Sequence, residues 1–349
     1  MILRVLNLFL LRIMGKPNEN EIRFDPVLRE WVIVAQNRTI RPVLGKTFTT
    51  EKPKYTCPFC PDAPEGSGEW IVKALPNRFP ALSSEISGKF ADETQVFDFY
   101  RKRPGKGNCE VLLYTKDHNK TLGDLTIANI VALIELWKER LIHNMMDEEL
   151  KYSFMFENRG EIIGVTLSHP HGQIYTFPFI PPRIEKAVES SRIYWDEHQS
   201  CLFCKVVETE LVDKARVIEE NEDFVAFIPY FAKWPFEIHI YPKQHYSYIS
   251  QIPPNQSENF ATIIKHTVQR LDRLYGFIMP YVFSHHNAPY NCGGNDYFHY
   301  HIEIYPPYRA KDRIKYIAGV EMGTHTFINP TNPQDNAKKL REIDLTGEK

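Results

Sequence analysis

Ser168-His169-Pro170-His171-Gly172-Gln173 places two histidines two positions apart, so on an extended chain both side chains point to one face. Pro170 sets φ between them. Gly172 removes a side chain where the backbone or phosphate of a ligand could approach. Gln173 offers amide N–H donors to an anion. In such a pair one imidazole can be held by a metal while its neighbour attacks phosphorus. Two strand histidines with ordinary hydrogen bonds would give the same short pattern, so the surrounding residues must decide.

Working outward, the pattern recurs. Cys57-Pro-Phe-Cys60 is matched by Cys201-Leu-Phe-Cys204. The strand-like Cys109-Glu-Val-Leu-Leu-Tyr-Thr-Lys-Asp-His118 is matched by Phe236-Glu-Ile-His-Ile-Tyr-Pro-Lys-Gln-His245. Ile127, Ile130, Val131, Ile134, Trp137 and Leu141 have helical spacing, and so do Phe260, Ile263, Ile264, Thr267, Val268 and Leu271. Gly276 follows the second set as a stop. Tyr152–Glu157 and Tyr281–His286 read as strands, and His299-Tyr-His301 repeats His169-Pro-His171. From His118 to His169 is 51 positions, and from His245 to His299 is 54. Chance does not preserve that order and spacing, so the chain reads as an internal duplication with a boundary near residues 178–200. Ile184, Ala187, Val188, Ser191, Tyr194 and Trp195 mark a helix in that region. Antiparallel-looking strands around one long helix, twice, predict an α+β fold with a mostly antiparallel sheet and flanking helices. The expected divisions are an extension at 1–21, a first half at 22–180 and a second at 181–349.

Composition narrows the function class. The chain of 349 residues is 43% hydrophobic and 13% aromatic, enough for a sizeable core, and its net charge of −2 supplies no field to recruit nucleic acid. No apolar run is long enough to span a bilayer. The opening segment, residues 1–14, resembles a short signal core without a cleavage site, so it either precedes the true start at Met14 or forms a short docking helix. A cytoplasmic location follows, with the six cysteines as thiols or metal ligands rather than disulfides. Cys109 and Cys292, outside the CxxC pairs, read as buried structural thiols.

Each half offers two thiolates and two imidazoles: Cys57, Cys60, His118 and His169 in the first, and Cys201, Cys204, His245 and His299 in the second. Such Cys₂His₂ sets select zinc, and a closed set is structural. Two Zn²⁺ per chain are expected. With His169 a ligand, His171 is left as a nucleophile toward phosphorus, with a backbone carbonyl fixing its tautomer. A phosphate leaving group needs no general acid. It does need donors around the phosphoryl oxygens, and Gln173, Asn158, Thr166 and the backbone near Gly164 suit that role. In the second half Ile302 and Glu303 stand where Gly172 and Gln173 stand in the first. A carboxylate facing a phosphate is unfavourable, so the chemistry is expected in the first half only.

Cys57-Pro-Phe-Cys60, Asn77 before Phe79, Asp117-His118, Phe156-Glu-Asn158-Arg-Gly160, Gly164-Val-Thr166 and His169-Pro-His171-Gly-Gln173 together resemble the galactose-1-phosphate uridylyltransferase family, of the histidine-triad superfamily. The resemblance runs over nearly the whole chain after residue 22. It implies two histidine-triad-like halves and exchange of UMP between UDP-glucose and galactose 1-phosphate. The exchange would pass through a covalent uridylyl-histidine on His171, stabilised by Gln173. It also implies nucleotide or phosphate binding by Arg38, Arg41, Asn77, Asn158, Gly164 and Thr166. Lys315 would reach the sugar phosphate from the other subunit of a homodimer. The resemblance departs from its pattern at Val320 and near Phe327, where related bacterial enzymes carry a hexose-contacting tyrosine and glutamine. The second CxxC, Gly319–Thr324 and Phe327–Pro330 look more like the ADP-glucose phosphorylase branch. Phosphorolysis of an ADP-sugar or a dinucleoside polyphosphate by the same histidine is therefore an alternative, as is a non-catalytic zinc protein that binds nucleotide.

Overall fold

The computed structural model describes residues 20–26, 28–35, 57–292 and 296–346. Arg38, Arg41 and the opening segment 1–14 lie outside them. The described strands are β1 (Glu21–Asp25), β2 (Glu30–Val34), β3 (Lys73–Pro76), β4 (Thr94–Gln95), β5 (Arg101–Pro104), β6 (Asn108–Leu113), β7 (Tyr152–Arg159), β8 (His171–Phe177), β9 (Val217–Glu220), β10 (Phe224–Phe227), β11 (Ile238–Pro242), β12 (Tyr281–His286), β13 (His301–Tyr305), β14 (Tyr308–Ala310) and β15 (Arg313–Ile314). The helices are α1 (Ile127–Met145), α2 (Pro182–His198), α3 (Leu202–Asp213), α4 (Ser257–Leu274), α5 (Gly319–Thr324) and α6 (Pro333–Arg341).

Alternating apolar runs separated by polar turns make the strands, and nine of them form one antiparallel sheet in the order β3-β6-β8-β7-β12-β13-β11-β10-β9. The order is mirrored about its middle. β3-β6-β8-β7 of the first half faces β12-β13-β11-β10 of the second, with β7 paired to β12 from Tyr281↔Arg159 to His285↔Met155. The duplication read in the sequence thus forms a single continuous sheet with a pseudo-two-fold axis between β7 and β12. A second, four-stranded sheet, β2-β1-β5-β4, packs through Ile22 against Leu82 and Cys109.

Strand alternation sorts the sheet's two faces. Leu112, Tyr114, Met155, Ile174, Phe283, Ile302 and Ile304 lie in the core beneath α1 and α4. Those helices contribute Ile130, Ile134, Trp137 and Leu141, and Phe260, Ile264, Val268 and Leu271. Thr126 caps α1 by accepting a hydrogen bond from the Asn129 N–H. The other face carries a row across five strands, fixed by the pairs Gln173↔Phe156, Phe156↔Ser284, Ser284↔Glu303 and Glu303↔His239. Gln173 and Glu303 therefore sit on the same face, three strand spacings or about 14 Å apart.

Gly172 does not make room for a ligand, contrary to what its place in the sequence suggests, because it lies on the helix side of β8. A Cβ at Gly172 would meet the Tyr114 hydroxyl at 2.3 Å and the Phe156 carbonyl oxygen at 3.2 Å. The glycine admits a buried tyrosine into the core, and Ile302 fills the equivalent place in the second half.

Gly172→Ala is expected to cost about 1–3 kcal/mol of stability through overpacking. Tyr114→Phe in the same chain, by deleting the hydroxyl, should restore part of the loss. Urea unfolding of the single and double variants measures both. Equal stability of Gly172→Ala and the parent would contradict this packing.

Candidate active site

His171 opens β8, and its Nδ1–H donates to the His169 carbonyl at 2.7 Å. The bond spans two residues of an extended chain stiffened by Pro170, so it fixes both ring orientation and tautomer. Nε2 is then the nitrogen that carries the lone pair. The Phe59 ring lies beside the imidazole, 5.2 Å between centroids. It comes from within the Cys57–Cys60 knuckle, a packing role the sequence reading missed.

Gln173 follows one step inward on the same face. The Asn77 Oδ1 accepts the Phe79 N–H at 2.9 Å, which leaves the Asn77 amide to donate to the Gln173 Oε1 at 3.4 Å. With its oxygen so engaged, Gln173 keeps its amide N–H groups as the donors it can offer, and it is not itself among the residues that line the cavity beside His171. Beside His171 opens a cavity of about 940 Å³ lined by Asn158, Gly164, Thr166, Ser168, His169 and His171 on one side and by His118 to Thr121 on another. Gly164 has φ +84° with open space where a Cβ would point, so backbone strain rather than crowding favours glycine there. Arg159 also lines the cavity, but its guanidinium is held by Asp272 and donates to the Met279 carbonyl at 2.8 Å. Lys315, just after β15, is not among the lining residues. It is buried and bonded to the Glu321 carboxylate at 2.6 Å.

Two clusters bring together the Cys₂His₂ sets, Cys57-Cys60-His118-His169 and Cys201-Cys204-His245-His299, with ligand atoms within 4.8 Å of one another. In the first, the Cys60 sulfur is 3.4 Å from His118 Nδ1 and 3.8 Å from His169 Nδ1. In the second, the Cys204 sulfur is 3.2 Å from His245 Nδ1 and 3.4 Å from His299 Nδ1. Tetrahedral zinc with its usual bond lengths separates sulfur from nitrogen by roughly 3.5 Å. The donor sets therefore fit a metal. His169 Nε2 donates to the Thr115 carbonyl at 2.8 Å, aiming Nδ1 at the sulfurs. Burial lowers the His169 pKa and raises that of Cys57. In the second cluster a hydrogen bond from the Cys204 thiol holds the Cys201 thiol well below its ordinary value. Of the two cysteines outside the knuckles, Cys109 is buried as expected, whereas Cys292 is exposed.

The second half repeats the histidine geometry without an opening. His301 Nδ1–H donates to the His299 carbonyl at 2.9 Å. Yet His301 is 3% exposed, stacked between Tyr241 and His286, and its Nε2 lies 3.3 Å from Glu303. Glu303 also meets His286 Nε2 at 3.1 Å, His239 Nε2 at 3.6 Å and the Arg183 guanidinium from α2. His286, His301 and Glu303 come close enough to hold an ion. Burial lowers both His285 and His286, aided at His285 by the neighbouring His286 and opposed at His286 by Glu303. It pushes His285 down to about 3 and His286 to about 4; burial also works to raise the Glu303 pKa, but His286, His239 and Arg183 together override it and hold the carboxyl well below its usual range.

Residues 13–181 match the N-terminal domain of the galactose-1-phosphate uridyl transferase family, and residues 187–347 match its C-terminal domain. The chain is 37% identical over 326 residues to the galactose-1-phosphate uridylyltransferase of Thermotoga maritima, covering 93% of this chain and 99% of that one. It is 28% identical to the ADP-glucose phosphorylase of Arabidopsis thaliana, covering 93% of each. A solved uridylyltransferase structure superposes with a TM-score of 0.81 at 34% identity, covering 92% of this chain and 97% of that one. The ADP-glucose-bound phosphorylase from Arabidopsis thaliana superposes with 0.72 at 25% identity, covering 93% and 100%.

The buried histidines make acid stability a test of the second half. Below the ordinary histidine value of 6.5, the unfolded chain takes up protons that folded His285 and His286 refuse until about pH 3 and 4. The unfolded state binds more protons, so stability falls as pH is lowered through that window. His285→Gln should flatten the slope between pH 6 and 4.5 by up to about 1.4 kcal/mol per pH unit. Chemical unfolding at stepped pH measures it, and an unchanged slope would contradict the buried neutral histidine.

Proposed function

The chain belongs to the galactose-1-phosphate uridylyltransferase family, and from that premise we propose that it exchanges UMP between UDP-glucose and galactose 1-phosphate through His171. The observation that carries the reading is the 2.7 Å hydrogen bond from His171 Nδ1 to the His169 carbonyl, at the wall of a cavity sized for a nucleotide sugar. In the first step Nε2 attacks the α-phosphorus of UDP-glucose. The P–O bond to glucose 1-phosphate breaks, and that phosphate leaves with the electron pair. In the second step an oxygen of the galactose 1-phosphate phosphate attacks the same phosphorus, and His171 departs as neutral imidazole. The phosphoryl oxygens need donors that are already in place. The amide of Gln173, the Asn158 amide, the Thr166 hydroxyl and the backbone at Gly164 are assigned that work. Asn77 acts by orienting Gln173, and Arg38 and Arg41 would contact nucleotide phosphate.

Zinc is proposed for both Cys₂His₂ clusters. At Cys57, Cys60, His118 and His169 it would tie the knuckle to the segment that leads into His171, a structural role with no step passing through the metal. Residues 22–180 would form the catalytic half and residues 181–349 the supporting half. A homodimer is supported by the exposed apolar Tyr316, Val320 and Met322, a surface that a second copy would cover; Lys315 beside them is buried against Glu321 and would have to leave that pair to reach the phosphate in the other subunit. The thiol-rich metal clusters favour the cytoplasm. Phosphorolysis of an ADP-sugar is the second reading, favoured by the likeness of the second CxxC and of Val320 and Phe327 to that branch. Identifying the acceptor that removes the nucleotide from the enzyme separates the two.

Double-reciprocal plots with UDP-glucose and galactose 1-phosphate are expected to be parallel, as two half-reactions at one site require. Intersecting lines would mean direct transfer in a ternary complex. His171→Gly should lose turnover and regain part of it with preformed uridylyl-imidazole, which supplies the missing intermediate. Elemental analysis should find close to two zinc ions per chain, and Cys57→Ser should lose one of them together with most turnover. Metal-free protein with full activity would overturn the zinc assignment.

A further inference from the structure

The cavity beside His171 must hold a doubly charged hexose phosphate next to the phosphorus under attack. Its described lining contains two side chains with permanent positive charge, Arg159 and Lys120. Arg159 is spent on Asp272 and the Met279 carbonyl. Lys315 is buried against Glu321, and Lys116, four residues before Lys120, pairs with Glu69 at 3.2 Å. Lys120 is exposed in the cavity wall, and among the described residues no carboxylate lies within ion-pair distance of its ammonium. Glu161 lines the same cavity, and no ion pair joins it to Lys120.

The backbone on both sides of Lys120 is fixed. Two residues before it, His118 has Nδ1 against the Cys60 sulfur at 3.4 Å and Nε2 against the Ser168 hydroxyl at 3.0 Å. Immediately after it, the Thr121 N–H and hydroxyl both donate to the Asp124 carboxylate, at 2.9 and 2.7 Å. The turn that follows is clamped to α4, where Gln269 donates to the Gly123 carbonyl at 3.0 Å and Lys265 to the Leu125 carbonyl at 2.7 Å. A flexible four-carbon stem on a rigid base, with its charge unmatched among the described residues, suits a group that binds and releases a mobile phosphate.

We infer that Lys120 is a binding residue for the phosphate of the hexose 1-phosphate that leaves and enters at His171. The inference rests on the transferase reading. It gives the catalytic chain its own cation for that phosphate, whatever a second subunit adds.

Lys120→Met keeps the stem and removes the charge, and Lys120→Arg restores it. The KM for galactose 1-phosphate should rise about tenfold or more in Lys120→Met, the usual worth of a charge-assisted hydrogen bond. In Lys120→Arg it should stay within about threefold of the parent. A second donor isolates the phosphate. Uridine 5′-phosphoimidazolide carries no hexose phosphate; His171 Nε2 would displace imidazole from its phosphorus and form the same uridylyl-enzyme. Parent and Lys120→Met should be labelled by it at equal rates. An unchanged KM in Lys120→Met, or a loss of imidazolide labelling as large as the loss with UDP-glucose, would overturn the inference. Failure of the parent itself to release glucose 1-phosphate from UDP-glucose would instead overturn the transferase reading.

Discussion

The ladder between β7 and β12 joins the two halves of this chain edge to edge, from Tyr281↔Arg159 to His285↔Met155. Everything else is placed relative to it. Because antiparallel partners share a face, the pairing sets Gln173 and Glu303 in one row on the same side of the sheet, with α1 and α4 covering the other side. A slip of one residue in this register would turn one half's histidines into the core. Each half lends its neighbour the strand that would otherwise be an exposed edge.

Within this shared frame the two halves part company over charge and access. Both place a histidine whose Nδ1–H bonds the carbonyl two residues back. His171 keeps an open cavity and a neutral Gln173. His301 is sealed between Tyr241 and His286, and Glu303 beside it is matched by histidines and by Arg183 from the inter-half helix. Burying one carboxylate in that way requires donors on all sides. The same donors close the route by which a phosphate would enter. The second half thus retains the scaffold and its Cys₂His₂ cluster, and continues the sheet that carries His171.

Much of this was legible in the residues because period and order survive without coordinates. The two CxxC pairs, the strand-helix-strand order and the two HxH motifs specify the duplication, and the apolar face from Ile130 to Leu141 specifies α1. Both metal sets assemble from the residues named for them. What the sequence hid depends on the third dimension. Gly172 looked like room for a ligand, and strand parity turns it toward Tyr114 instead. Phe59 carried no role in the reading of the Cys57–Cys60 pair, and it packs on His171. Cys292 looked buried because cysteines usually are, and it is exposed. Arg183 carried no signal in its short-range pattern, since its partner Glu303 lies 120 residues on. Lys120 is one lysine among many until the cavity shows which cations are already paired.

Of two equivalently held histidines, His171 is the one proposed to carry the reaction. Mixing the enzyme with UDP-glucose alone, quenching, digesting at neutral pH and locating the attached UMP by mass tests it most directly. About one UMP per active site is expected on the peptide containing His171, and none on the peptide containing His301. Label on His301, or steady turnover with label on neither, would contradict it.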